Sequence, residues 1–142
     1  MAADAGAETG GDPLPGRPDA RRARLMDKVN LAEKLASFDE LFSPRIVAYY
    51  NGSKVQVAKT RGEFVWHSHP ETDDFFLVLK GRLTIELRDR EVELLAGELF
   101  VVPRGVEHRP RADEETHVLL IEPRGTPNTG DADATAAPEV EI

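Results

Sequence analysis

The chain has 142 residues, 40% of them hydrophobic, which suits one domain with a core of its own. Its formal charge of −8 removes the basic footprint that drives phosphate-backbone binding, so nucleic acid is not an expected partner. The absence of cysteine excludes disulfides, thiolate nucleophiles and Cys-type zinc sites, leaving histidine and carboxylates as the strong metal ligands.

Composition predicts a flexible extension over residues 1–27. MAADAGAETGGDPLPGRPDARRARL is rich in Ala, Gly, Asp and Pro and has no aromatic residue, so it cannot bury enough surface to order itself. No apolar run approaches the roughly 18 residues of a membrane span. The N-terminus also lacks the apolar core of a signal peptide, so the expected location is the cytoplasm, away from membranes. Residues 28–130 are expected to form the domain, and residues 131–142, within the polar TPNTGDADATAAPEVEI, a flexible tail.

Within the domain, VNLAEKLASFDELF sets Leu31, Leu35, Phe38 and Phe42 at helical spacing, and Ser43-Pro44 ends the helix. The period then changes to two. RIVAYYNGSKVQVAKT reads as two strands around Asn51-Gly52, a dipeptide suited to the positive φ of a tight hairpin. Further strands are expected at EFVWHSH, DDFFLVLK, RLTIELRD, EVELL, GELFVVP and THVLLIEP, with turns at Gly81, Asp89-Arg90, Ala96-Gly97 and Arg104-Gly105. Short strands so regularly spaced predict an all-β sandwich or barrel.

Four histidines occur, and two of them flank Ser68. In an extended strand His67 and His69 share a face at roughly 6.6 Å between Cα atoms, close enough to clamp one ion. Asp74 opens the next strand and His108 follows the turn PRGVEH, so both are placed to converge on the pair. His117 lies outside this pattern and reads as a rim or surface residue. Thr72 is a poor ligand beside carboxylates, and Glu107 points away from His108 if the backbone is extended.

At these residues the sequence resembles the cupin superfamily, in particular its small single-domain members of the cupin-2 type. The first motif of that family, G-x5-H-x-H-x3–4-E-x6-G, is met by Gly62, His67, His69, Asp74 and Gly81. The second, G-x5-P-x-G-x2-H-x3-N, is met by Gly97, Pro103, Gly105 and His108. Asp74 stands in place of Glu, Gly62 is one residue nearer His67 than the pattern has it, and Ala112 replaces the closing Asn. Asp73 and Glu71 are the alternative carboxylates. The resemblance implies a single jelly-roll β-barrel preceded by a short helix, with a divalent transition metal held by His67, His69, Asp74 and His108. Nitrogen and oxygen ligands suit Fe, Mn, Ni, Cu or Zn without selecting among them.

Strand parity sends Phe76, Val78, Leu83, Ile85 and Leu87, with Val65, to an apolar interior suited to a small organic ligand. The same parity sends Phe64, Trp66, Phe75, Leu77 and Leu79 outward, an apolar face to be covered by the N-terminal helix or another strand or, in the favoured reading, by a second copy in a homodimer. No convergent Arg/Lys cluster, Ser-His-Asp arrangement or phosphate loop is visible. Two readings follow: a metal-dependent oxygenase or isomerase of a small organic acid or ketone, and a non-catalytic small-molecule binding or sensing module. Tyr49 and Tyr50 are the tyrosines available as proton donors.

Overall fold

The structure, a computed structural model, describes residues 27–142. The expected N-terminal extension, with its RRAR run, therefore lies outside the described residues except for Asp27. A helix, α1 (Leu31–Ala36), is followed by β1 (Arg45–Tyr50), β2 (Ser53–Glu63), β3 (Asp74–Lys80) and β4 (Arg82–Leu87). Then come β5 (Glu91–Leu95), β6 (Leu99–Val102), β7 (His108–Pro123) and β8 (Val140–Glu141). Among the described residues no helix is long and apolar enough to cross a membrane.

The helix begins where sequence places it, because Asn30 Oδ1 accepts the Glu33 N–H at 3.0 Å and satisfies a donor of the first turn. It ends sooner than its apolar stripe predicts. The Ser37 hydroxyl donates to the Lys34 carbonyl at 2.6 Å, and the sheet then takes over the following residues. Lys59 Nζ donates to the Phe38 carbonyl at 2.6 Å, and the Phe42 N–H donates to the Lys59 carbonyl at 2.8 Å. Phe38 still packs with Leu35 on Val47 and Val57, as the stripe requires. Phe42 instead turns away at φ 54°.

The β1–β2 hairpin turns through Asn51 and Gly52 at φ 48° and 77°, the double positive-φ turn that matches strand twist. The long strand β7 shapes the barrel. Its first residues pair with β4, and its later ones lie between β2 and β3, so a single strand belongs to both layers. One layer runs β6-β3-β7-β2-β1-β8 and the other β5-β4-β7. Between them Phe76 and Val78 of β3 meet Leu83 and Ile85 of β4, with Leu94, Val102, Ala112 and Val118 closing the core. Leu87 is partly buried against this cluster, whereas Val65, expected with it, is not one of the core residues.

Two stretches depart from the sequence reading. EFVWHSH is not a regular strand. Residues 64–69 run irregularly and touch the sheet through an isolated bridge from His67 to His108. Residues 131–142, expected as a tail, lie on the barrel: β8 pairs parallel with β1, the Ile142 N–H donates to the Ile46 carbonyl, and Glu139 Oε2 meets Lys54 Nζ at 2.6 Å. The partners that order this polar segment lie far away in the chain, and its own composition does not announce them.

Candidate metal centre

Three elements supply the four expected ligands. The irregular segment before β3 brings His67 and His69, the first residue of β3 is Asp74, and the first residue of β7 is His108. Reciprocal backbone bonds between His67 and His108 (3.0 and 2.9 Å) hold the first and last of these in register. The His69 carbonyl accepts the Gly105 N–H at 2.9 Å, which ties the second-motif turn to the first motif.

All four side chains are buried, and one ligand atom from each lies within 4.8 Å of the others. The imidazoles of His67 and His108 each donate Nδ1–H to a backbone carbonyl two residues back, Val65 and Val106, at 2.9 Å. This assigns a proton to Nδ1 of each ring and leaves Nε2 as the atom each can offer to an ion, the arrangement by which metal-ligating histidines are oriented. Asp74 Oδ2 lies 3.0 Å from His108 Nε2 and 3.2 Å from His69 Nε2. The shorter carboxylate therefore reaches the histidines. Among the described residues the cluster is able to hold a metal ion.

Its electrostatics follow from burial in a low-dielectric interior. Burial, aided by the neighbouring His108, brings the His67 imidazole down to about 4, so it is neutral near pH 7. Burial also opposes a charged His69, but the Asp74 hydrogen bond and charge outweigh it and raise that imidazole. For Asp74 the order is the same: burial disfavours the carboxylate, and the His108 and His69 hydrogen bonds more than offset this, holding it below the usual range.

The alternatives are placed elsewhere. Asp73 Oδ1 accepts the Arg104 N–H at 2.9 Å on the surface, Glu71 is exposed, and Glu107 pairs outward with Arg88. His117 pairs with Glu115 at 2.7 Å, away from the cluster. Tyr49 bonds Glu141 and Tyr50 is exposed, so neither tyrosine serves the cluster. Trp66 carries the Arg88 guanidinium 3.8 Å above its ring on the outer surface, as parity predicts. Phe64 does not follow parity. It stacks on Phe42 at 5.1 Å and meets His67 edge-on at 5.5 Å, because the irregular backbone frees it from strand alternation.

Phe42, Phe64 and Phe76 form part of the wall of an apolar cavity of about 50 Å³, to which His67, Asp74 and Glu122 add polar groups. A water needs roughly 10–15 Å³ in the same measure, so the space suits a ligand of a few non-hydrogen atoms. Glu122 was not anticipated from sequence. It is buried near the end of β7, 3.8 Å from His69 Nε2, and accepts a hydrogen bond from Gln56 Nε2 at 3.1 Å. Burial and the Asp74 charge push its carboxyl up to about 7. The available signal was weak: a charged residue in the otherwise apolar run HVLLIEP. Lys54, also buried, is occupied by Glu139 and the Thr126 carbonyl, so no free cation joins the site from β2.

An all-β barrel that gathers three histidines and one aspartate inside it, from two separate sequence motifs, defines a cupin-type protein. Residues 54–122 match the family model of the cupin domain. The chain is 45% identical to a cupin-2 domain-containing protein from Shewanella frigidimarina, over 68% of this chain and 94% of that one, with a TM-score of 0.67. It is 30% identical to a Neisseria meningitidis protein of known structure, over 68% of this chain and 98% of that one, with a TM-score of 0.63. An uncharacterized Bacillus subtilis protein, YdbB, is 36% identical over 77 residues, 54% of this chain and 68% of its own length. The chain belongs to the cupin family.

Proposed function

We propose that this cupin binds a divalent transition metal through His67, His69, Asp74 and His108 and acts on a small, largely apolar organic molecule. The reaction class we favour is that of a metal-dependent oxygenase or isomerase of a small organic acid or ketone. The observation that carries the reading is the buried cluster itself, with two imidazoles held at Nδ1 by backbone carbonyls and the cavity opening directly beside it. An ion bound there would supply Lewis-acid activation of a substrate, water or dioxygen.

The chain's own residues would do the rest. Phe42, Phe64 and Phe76 exclude water and select an apolar body. Glu122 is the carboxylate placed to accept or hold a proton on the ligand's polar end, since it lines the cavity without belonging to the four-residue cluster. Gln56 keeps that carboxylate in place. Elemental analysis of protein purified without a histidine tag or chelator tests the metal: about one ion per chain supports the reading. No metal after reconstitution overturns it and leaves the barrel as a binding module.

We also propose that the protein is a homodimer. Across β6, β3 and β7 the outward rows align Val101 with Phe75 and Ile121, and Leu99 with Leu77 and Leu119, while α1 packs in a separate cluster with Val47, Val55, Val57 and Leu79. Leu99 and Val101 remain 55% and 40% exposed. An apolar sheet face of this kind marks an association surface. Leu99→Glu is expected to convert a dimer to monomer in equilibrium sedimentation while leaving the far-UV spectrum unchanged. A wild-type protein that sediments as monomer at micromolar concentration overturns the dimer.

A further inference from the structure

The segment after β7 packs against the residue between the two metal-motif histidines. Asp131 grips Ser68 at three points. Its Oδ1 accepts the Ser68 N–H at 2.7 Å, its Oδ2 accepts the Ser68 hydroxyl at 2.9 Å, and its own N–H donates to the Ser68 carbonyl at 2.9 Å. Gly130 comes closer still. A Cβ there would lie 2.2 Å from the Ser68 carbonyl oxygen and 2.9 Å from His67 Cδ2, the ring carbon next to Nε2, and its φ is +54°. The strap is fixed on either side of this contact. Asn128 Nδ2 donates to the Phe42 carbonyl at 3.4 Å, and Glu139 meets Lys54 farther along.

These contacts matter because residues 64–69 are not held by a sheet ladder. Beyond the His67–His108 bridge, the backbone between the histidines has the strap as its neighbour. We infer that Asp131 is a positioning residue for the metal centre: through Ser68, and with Gly130 against the His67 ring, the C-terminal strap sets where the two imidazoles point. The inference rests on the metal-binding reading above. Partners one shell outside a metal typically change its affinity about 10- to 100-fold when removed.

The test is calorimetric titration of Zn(II) into the metal-free full-length protein. Wild type is expected to bind one ion, and Asp131→Ala to bind it at least tenfold more weakly. Asp131→Asn, which keeps one acceptor oxygen, and Ser68→Ala, which keeps the N–H donor, are expected to fall between them. The metal-free melting temperature and the far-UV spectrum of Asp131→Asn should remain close to wild type. Amide exchange at Ser68 and His69 should accelerate in the metal-free variants, a readout independent of any ion. Equal Zn(II) affinity in wild type and Asp131→Ala overturns the strap's role while leaving the metal reading intact. Affinity lost only in proportion to melting temperature, with no rescue by asparagine, overturns it in favour of a general structural contact. A wild-type protein that takes up no Zn(II) overturns the metal reading itself and this inference with it.

Discussion

The His67→Ala protein is expected to leave purification without bound metal, whereas His117→Ala keeps the wild-type content. The two substitutions remove the same side chain and differ in what surrounds it. His67 is buried, its Nδ1–H is held by the Val65 carbonyl, and its ring centroid lies 4.3 Å from that of His108. His117 faces Glu115 on the outer side of β7. The loss of a partner one shell out typically costs about 10- to 100-fold in metal affinity, so the loss of a ligand should exceed the upper end of that range. Asp74→Ala is expected to behave like His67→Ala, since its Oδ2 bridges toward both His69 and His108. Metal analysis and Zn(II) titration of the three variants check this. Equal content in the His67 and His117 variants would refute the assignment of the centre.

The second large effect concerns the barrel that carries the centre. Leu94→Ala should destabilise the protein by about 2–5 kcal/mol, and Leu95→Ala by no more than roughly 0.5 kcal/mol. The residues are neighbours of the same type on β5. Leu94, 4% exposed, packs among the residues between the two layers, and removing its methyl groups leaves a void there. Leu95, 45% exposed, points to solvent from the edge of the barrel. Urea unfolding checks the pair: the midpoint of Leu94→Ala should fall at an unchanged slope, the mark of lost stability without a change in exposed surface. Comparable midpoints for the two variants would mean that β5 is inserted the other way.

The elements legible in the sequence are those whose signal is local. The Asn51-Gly52 hairpin follows from two residues that tolerate positive φ. The alternation in DFFLVLK and RLTIEL settles which faces of β3 and β4 turn inward, because a strand's side-chain period is two. The spacing of both motifs brings His67, His69, Asp74 and His108 together as expected. The helix was legible in its start but not its end, since Ser37 and the Lys59 contacts break a stripe that Phe42 would otherwise have continued.

Pattern fails where a residue's fate depends on a partner remote in the chain. Glu122 became part of the cavity because β7 lies beside β2, where Lys54 is its cross-strand partner and Gln56 its hydrogen-bond donor. Phe64 entered the cavity wall because its segment is not a strand, so alternation did not apply. Asp131 and Glu139 sit in the stretch expected as a tail, with Gly130 at its border, yet Ser68, Lys54 and the His67 ring are their neighbours in the fold. Periodicity and turn residues, which act over a few positions, were enough for the strands and the hairpin, and the motif resemblance pointed to the barrel and to the four residues that converge within it. The burial of Glu122 beside the cavity and the hold of Asp131 on Ser68 emerge in the folded chain, because a buried polar group needs a hydrogen-bond partner and here those partners lie far along the sequence.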